Sequence, residues 1–457
     1  MIAEEEVIAL RAEVASLKEQ LAQALALNAQ LQAELDKYRK EPPSFVKPKP
    51  NTPKPIDKAQ KQPRRKRAKD QNGARRRDIP TQTIQHKLKE CPTCRYPLQH
   101  PQLALRRQVI ELPPPQPVEV IEHQLYKSWC PRCSKWHHAQ VDLSTQVLGQ
   151  SRMGVRIACL VSYLRTALRM PVRLIREYLH SVHALRISTG EIVDLLHRVA
   201  EAPPVQGAQQ QVHERVRNAH IVHGDETVWR QQGHNGYVWL FATPDGERLY
   251  EYDRSRGAAV AKRILGAQFN GTLVTDFYAA YNDFPGEHQR CWAHLLRDLH
   301  QLKEEHKDNG QVLEWATQLR EMYDTGQALV KGPAPPTPQQ REAIYSQLVQ
   351  ATGELGRRYA NAKEHSAHPC HTLCKRLLLH LDALFQFVRQ PGVSADNNLA
   401  ERSVRPVVVM RKVSGGSQSE RGSRTRMTLA SLFGTWRAKG LNPFSECLFL
   451  FCAPVIP

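Results

Sequence analysis

No apolar stretch of the 457-residue sequence reaches the ~18–20 residues needed to cross a bilayer as a helix. The most apolar segment, the closing LFLFCAPVIP, is too short, which argues against a helical membrane protein. The opening MIAEEEVIAL lacks a basic flank, so it does not read as a secretory leader. Acid is in short supply: 45 Asp and Glu stand against 64 Lys and Arg, a formal charge of +19 with a pI near 9.6. Such a balance disfavours polycationic partners and suits nucleic acid or an anionic surface. Of ten cysteines, only four have metal-ligand spacing, and that pattern fits a reducing compartment better than a disulfide scaffold. What is present is 41% hydrophobic residues, enough over this length for two to four domains. The expectation is a soluble cytoplasmic protein of multidomain α+β class with no membrane partner.

Residues 5–40 read as a coiled-coil helix. Val7, Val14, Leu21, Asn28 and Leu35 fall at position a, and Leu10, Leu17, Ala24, Leu31 and Tyr38 at d. Glu6/Arg11, Glu13/Lys18 and Glu34/Arg39 are opposite charges at g and the following e. A parallel pair with one Asn at a favours a homodimer in fixed register; the alternative is an amphipathic helix packed on its own chain. Residues 41–80 hold 13 Lys and Arg against 4 Asp and Glu, with many prolines. They read as a basic, disordered linker, in which Arg64, Arg65, Lys66 and Arg67 would meet DNA phosphates. Residues 81–145 carry KECPTCRYPL and SWCPRCSKWHH. Two CxxC turns, Cys91/Cys94 and Cys130/Cys133, supply four thiolates for one structural Zn²⁺ in a zinc ribbon, with redox pairs or a disulfide as alternatives. The intervening RRQVIELPPPQPVEVIEHQLYKSW alternates as strands do. His123, His137 and His138 read as surface residues, and Cys159, Cys291, Cys370, Cys374, Cys447 and Cys452 as core thiols.

Residues 150–205 read as three short helices broken at Met170-Pro171 and Ser188-Thr189-Gly190, with Ser188 or Thr189 as a cap. They suit a helix-turn-helix or an ordinary helical linker domain. From residue 215 to 300 the period changes. HIVHGDETVWR, GYVWLFATPDG and RLYEYDRSR are strands; GAAVAKRILG is a helix; TLVTDFYAAYN is a fourth strand; HQRCWAHLLRDLHQL begins as a fifth and becomes a helix. Three meandering strands, a helix and a further strand are the order of a ribonuclease H-like core, whose first and fourth strands lie adjacent. Asp225 and Asp276 stand at the ends of those two. Neighbouring carboxylates repel unless a cation lies between them, and two Mg²⁺ (or Mn²⁺) ions would hold the attacking and leaving oxygens of a phosphoryl displacement.

A third carboxylate is then needed, and SADNNLAERSVRP offers Glu401. Asp396 or Asn397 would cap a helix that holds Glu401 in its first turn, with Pro406 ending or kinking it. Arg402, Arg405, Arg411 and Lys412 would take DNA phosphates. Glu226, on the opposite strand face from Asp225, reads as structural. Asp283 and Asp298 read as solvated, and His294 either assists the site or packs beside Trp292.

The zipper helix, CPTC and CPRC with RRQVIELPPP between them, HGDETVWR, TLVTDFYAAYN, RCWAHLLRDL and above all DNNLAERSVRP together resemble the insertion-sequence transposases of the IS66 family, a prokaryotic group with a DDE nuclease, over nearly the whole chain. The resemblance implies that Asp225, Asp276 and Glu401 are the catalytic triad. It also implies a helical insertion at 301–390, a segment 391–420 completing the core ahead of a helical tail at 421–457, and accessory proteins from the same element. After the glutamate, many relatives read RKN and then an aromatic-rich stretch, where this chain has RKVSGGSQSERGSRTRM. Its Gly/Ser/Arg composition suits contacts with phosphate. The function implied is metal-dependent nicking and strand transfer at the DNA ends of an insertion sequence, in a nucleoid-associated protein. The alternatives are a catalytically inactive DNA-binding regulator that keeps the fold, and a structural oligomer built on the coiled coil.

Overall fold

The computed structural model describes residues 16–30, 79–112 and 114–452, in two compact units, Met1–Leu112 and Pro113–Pro457. Only 16–30 of the expected coiled coil is described, and it is helical (α1), with Leu17 and Leu21 of the heptad seam exposed. Nearly all of the basic linker, including Arg64, Arg65, Lys66 and Arg67, lies outside the described residues. In the first unit the Cys91–Cys94 turn is closed by Cys91 N–H donating to the Tyr96 carbonyl and Leu98 N–H to that of Lys89, both at 2.9 Å.

The second unit opens with an antiparallel hairpin, β1 (Lys127–Cys130) and β2 (Lys135–His138). Trp129 and Trp136 meet edge to face across it at 5.7 Å. The alternating stretch before it was expected to supply strands, yet among its described residues only the last three are strand, in β1. Pro114, Pro115 and Pro117 have no N–H to give a ladder. Val109, Ile110, Val120 and Ile121 are exposed, and of the stretch's described residues Val118 alone is half-buried, so alternation there builds no buried face.

Four helices follow: α2 (Val155–Thr166), α3 (Val172–His183), α4 (Thr189–Glu201) and α5 (Pro203–Arg217). The breaks fall where the sequence puts them, and Ser188 Oγ caps α4 by accepting from Glu191 N–H at 3.0 Å. A fourth helix was not expected; the Pro-Pro pair at its first turn starts it. Ile175, Ile192, Leu195, Val199 and Val216 share one buried cluster with Val222, Phe241 and Leu273 of the sheet.

The sheet runs β3 (Ile221–Gln231), β4 (His234–Ala242), β5 (Arg248–Asp253), β6 (Thr272–Thr275), β7 (Glu287–Arg290), with α6 (Ala258–Leu265) between β5 and β6. Its spatial order is β5-β4-β3-β6-β7. The β3–β4–β5 meander is antiparallel, while β6 joins β3 in parallel and β7 joins β6 in parallel. Gln232 and Gly233, with φ of 52° and 79°, make the two-residue hairpin turn that matches strand twist. The free edge of β5 is covered: Arg248 N–H donates to Thr435 Oγ1 and Tyr250 N–H to Ser431 Oγ, at 3.0 and 2.9 Å, from a helix laid along it.

Past β7 come α7 (Trp292–Glu305), α8 (Gly310–Val330), α9 (Pro338–Arg357), α10 (Ala362–His365), α11 (His371–Leu379) and α12 (Gln386–Arg389). They surround Trp292, Trp315, Phe385 and Phe387 and reach Val274 of β6. Cys370 and Cys374 are buried among them, as expected of core thiols. Then α13 (Asn398–Ser414) lays Ala400, Val404, Val407 and Met410 on Trp229, Val238 and Leu240. The helix along β5 is α14 (Glu420–Ala438), followed by α15 (Pro443–Cys452). Pro406 does not end α13, which continues through it to Ser414. The apolar face on both sides of Pro406 is buried against the sheet, and this packing outweighs the missing hydrogen bond.

α13 ends instead at Gly415 (φ 69°), whose N–H bonds to the Arg411 carbonyl. Gly416 (φ 116°) brings the chain against β3: Ser417 N–H donates to the Arg230 carbonyl at 2.8 Å and Gln232 N–H to the Ser417 carbonyl at 2.9 Å. The Gly-Gly-Ser backbone, which composition suited to phosphate, is thus occupied by β3. A Cβ on Gly416 would lie 2.1 Å from the Arg230 carbonyl oxygen, and its φ is one that L-residues avoid. Gly416→Ala is expected to destabilise the protein by about 3 kcal/mol or more, read as a drop in thermal midpoint; an unchanged midpoint would show that this junction is dispensable.

Candidate active site

β3 alternates. Val222, Gly224 and Glu226 face α6 and the first cluster; His223, Asp225, Thr227 and Trp229 face α13. Register with β6 runs Ile221↔Thr272, Val222↔Leu273 and His223↔Val274. Continued by two residues, it sets Asp225 beside Asp276, just past the end of β6. Asp225 and Asp276 are both half-buried, as is Glu401 on the first turn of α13. The Asp225 carboxyl is pushed up to about 7, first by burial and then by the negative charges of Glu226, Asp276 and Glu401. Three elements distant in sequence therefore bring three acids into mutual electrostatic reach.

Each acid is held from behind. Asp225 Oδ1 accepts from Glu226 N–H, and Asp276 Oδ1 from Tyr278 N–H, both at 2.9 Å. Arg290, buried in β7, donates to Thr275 Oγ1 at 2.7 Å, the Asp276 carbonyl at 2.9 Å and Asn282 Oδ1 at 2.7 Å. Burial pulls its guanidinium down to about 10. Glu401 is positioned through Asn397. That side chain, 2% exposed, donates from Nδ2 to the Gly224 carbonyl at 2.8 Å and takes His223 Nδ1–H on Oδ1 at 3.1 Å. Its backbone N–H reaches Cys291 Sγ at 3.2 Å. Asn397 stands at the N-cap without capping by its side chain; Asp396 Oδ1 instead accepts from Asn398 N–H at 3.0 Å. Asp396 takes the cap role, which frees Asn397 to pin α13 to β3 one residue before Asp225.

Glu226 lies on the other face, with a side chain 3% exposed, ion-paired to Arg256 at 2.6 Å and bonded by the Tyr281 hydroxyl at 2.7 Å. It is structural, as the alternation suggested. Asp283 is exposed, and Asp298 pairs with Arg376. His294 Nδ1 lies 3.8 Å from Glu401 Oε1, so it neighbours the acids. Cys291 is buried like the other core thiols, and it stands at the N-cap of α7, without a side-chain capping hydrogen bond, with its sulfur near His294 and Glu401. Burial pushes its thiol up, against the backbone N–H groups of Asn397, His294 and Ala293. Sequence reasoning missed Arg290, Asn397 and Cys291. The doubled Asn of DNNLAER and the Cys-x-x-His spacing in CWAH were the available signals.

Arg402, Arg405 and Lys412 are exposed on α13. Arg411 is half-buried and donates to Thr227 Oγ1 at 3.1 Å and to the Val228 carbonyl, so it fastens α13 to β3. Of the cysteine pairs, Cys91/Cys94 belong to the first unit and Cys130/Cys133 to the second. Backbone N–H groups of the following residues, Cys94 and Thr93 in one turn and Cys133 in the other, hold the Cys91 and Cys130 thiols below their usual range, as metal-binding knuckles require. His137, read as a surface residue, brings a ring nitrogen within 4.8 Å of the Cys130 and Cys133 sulfurs. Among the described residues, no helix is long and apolar enough to cross a membrane.

Two proteins of Sinorhizobium fredii (strain NBRC 101917 / NGR234), the uncharacterized proteins y4qI and y4jD, are 27% and 28% identical to this chain over 260 and 211 residues. The matches cover 50% and 43% of this chain and 47% and 40% of theirs, so the chain spans about half the length of the curated relatives it matches. A chain of the simian T-cell lymphotropic virus intasome, solved in complex with PP2A regulatory subunit B56 gamma, is similar over 34% of this chain and 66% of its own, at 13% identity. Its TM-score of 0.14 is too low for structural inference. The profile of the transposase IS66 family matches residues 150–425, which takes in α2 through the first turns of α14 and every residue of the acidic cluster. The chain belongs to the IS66 family of transposases.

Proposed function

We propose that the chain is a Mg²⁺-dependent DNA transposase with a ribonuclease H-like core, in which Asp225, Asp276 and Glu401 form the catalytic triad. The observation that carries this reading is the convergence of three acids from separate elements, Asp225 beside Asp276 by strand register and Glu401 on the first turn of α13, with the raised Asp225 carboxyl as its consequence. A cluster of acids at a strand end is unfavourable as it stands and becomes favourable with divalent cations. The three triad side chains offer carboxylate oxygens, the ligand type these ions prefer. When bound, two Mg²⁺ or Mn²⁺ would neutralise the acids and polarise the attacking and leaving oxygens. Asp225 and Asp276 would hold the pair of ions, and Glu401 the second. Hydrolysis of the phosphodiester at an element end would free a 3′-hydroxyl, and that hydroxyl would then attack a target phosphodiester, forming a new P–O bond as the target's own 3′-oxygen leaves.

The remaining residues serve binding and alignment. Asn397 and Arg290 fix the backbones that present Glu401 and Asp276. Arg402, Arg405 and Lys412 would take backbone phosphates, each adding salt-dependent affinity. Arg64, Arg65, Lys66 and Arg67 would do the same from the linker, and α2–α4 would serve as the helix-turn-helix-like reader. Zn²⁺ would order the CxxC knuckles, and α1 would pair two copies for two DNA ends. The chain would work in the cytoplasm at the nucleoid, with accessory proteins of the same element.

Calorimetric Mg²⁺ or Mn²⁺ titration of wild type and Glu401→Gln tests the role of Glu401. Wild type should take two ions at this site and the variant one. Equal uptake by both would make Glu401 a structural acid and send the third ligand elsewhere. Wild type that binds ions yet nicks no terminal DNA would favour the inactive regulator.

A further inference from the structure

We propose that Cys291, His294 and Glu401 form a second, thiophilic cation site, of Zn²⁺ class, at the edge of the acidic cluster. Cys291 Sγ, a ring nitrogen of His294 and a carboxylate oxygen of Glu401 lie within 4.8 Å of one another. Two of these groups face each other without a hydrogen bond: His294 Nδ1 and Glu401 Oε1 are buried, unpartnered atoms 3.8 Å apart. Around a tetrahedral zinc, nitrogen and oxygen ligands stand about 3.4 Å apart, so the His294 and Glu401 atoms need a shift of a few tenths of an ångström to share an ion. The neutral His294 ring with its proton on Nε2 presents the Nδ1 lone pair to the ion. The Cys291 sulfur already sits at the start of α7, taking the Asn397 N–H at 3.2 Å, and a bound cation would displace the thiol proton. The His294 and Glu401 side chains are about one-third exposed while their facing atoms are buried, so those atoms lie just beneath the surface.

One sulfur, one nitrogen and one carboxylate oxygen select against Mg²⁺, which prefers oxygen alone. The two cation classes would therefore meet at Glu401. The zinc-class site itself stands independently of the catalytic reading, and its test needs no DNA.

The test is Co²⁺ titration of the zinc-free full chain, following the thiolate-to-cobalt absorption and the ligand-field bands. The chain's CxxC pairs bind equally in every variant and cancel in the difference. Wild type is expected to take up one more Co²⁺ per chain than Cys291→Ser and than His294→Gln, with a matching loss of intensity in each. The His294 variant guards against misfolding of the buried Cys291→Ser, and circular dichroism checks both. Equal uptake and equal bands in wild type and both variants would overturn the site. Loss confined to Cys291→Ser, with His294→Gln behaving as wild type, would overturn the three-ligand arrangement as well.

Discussion

Asp225→Asn should abolish Mg²⁺-dependent nicking by at least about 10³-fold and yet, without metal at pH 8, fold more stably than wild type. The two effects share one cause. In the folded chain the Asp225 carboxyl sits at about 7, against about 4 when unfolded. Between pH ~4 and ~7 the folded state therefore holds the extra proton, and stability falls as pH rises through that window, then levels above it. Asparagine removes the charge that burial and Glu226, Asp276 and Glu401 oppose. The gain at pH 8 should be on the order of 1–3 kcal/mol after allowance for solvent screening. His223, pushed down to about 4 by burial, works in the other direction: its stabilising contribution is lost as pH falls from about 6.5 through 4. It is present in both proteins and cancels in their difference. Added Mg²⁺ should raise the wild-type melting temperature more at pH 8 than at pH 5, and leave Asp225→Asn nearly unmoved. A variant less stable than wild type at pH 8 would contradict the electrostatic account, and retained nicking would remove Asp225 from the chemistry.

Asn397→Asp should be almost as damaging as Asn397→Leu, although aspartate has the same shape. Asn397 holds Gly224 and His223 with opposite ends of one amide. A carboxylate cannot donate to the Gly224 carbonyl, and it adds a charge beside acids that already repel. Leucine leaves the carbonyl and the His223 N–H without this partner, at about 1–3 kcal/mol each. We expect a loss of about 2–5 kcal/mol in unfolding free energy for either variant. At temperatures where the variants remain folded, kcat should fall while the DNA concentration for half-maximal rate stays put. That split separates a positioning residue from one that binds DNA. A wild-type kcat in Asn397→Leu would show that α13 is held in register without it.

Local pattern was enough to find the elements. The change from helical to alternating periodicity near residue 220, the Pro-Asp-Gly turn and the Ser188 cap are all decided by neighbours a few residues apart, and the chain forms them where the sequence puts them. The strand order followed as well, because a meander followed by a helix leaves few ways to add parallel strands. Composition misled where it carried no long-range information. The alternating 106–126 stretch has no partner strand among the described residues, and the prolines within it withhold donors. Pro406 is overridden by burial on both sides of it, and the Gly-Gly-Ser stretch closes on β3.

The three acids could be named from the sequence because carboxylates at strand ends and in a helix's first turn are conspicuous in a basic chain. The strand order also put Asp225 beside Asp276, but what holds the arrangement together was not legible. It depends on Asn397 reaching Gly224 across 173 positions, on Arg290 anchoring the turn at Asp276, and on α13 staying whole through Pro406. Residue order alone is enough to show which groups can carry chemistry and which local elements bear them. How those groups are held together depends on the folded chain, because sheet register and helix docking are set by burial and hydrogen bonds between segments far apart in the chain. Cys291 is the sharpest case: in the sequence it reads as one more core thiol, and only the start of α7 packed against the start of α13 sets its sulfur beside His294 and Glu401.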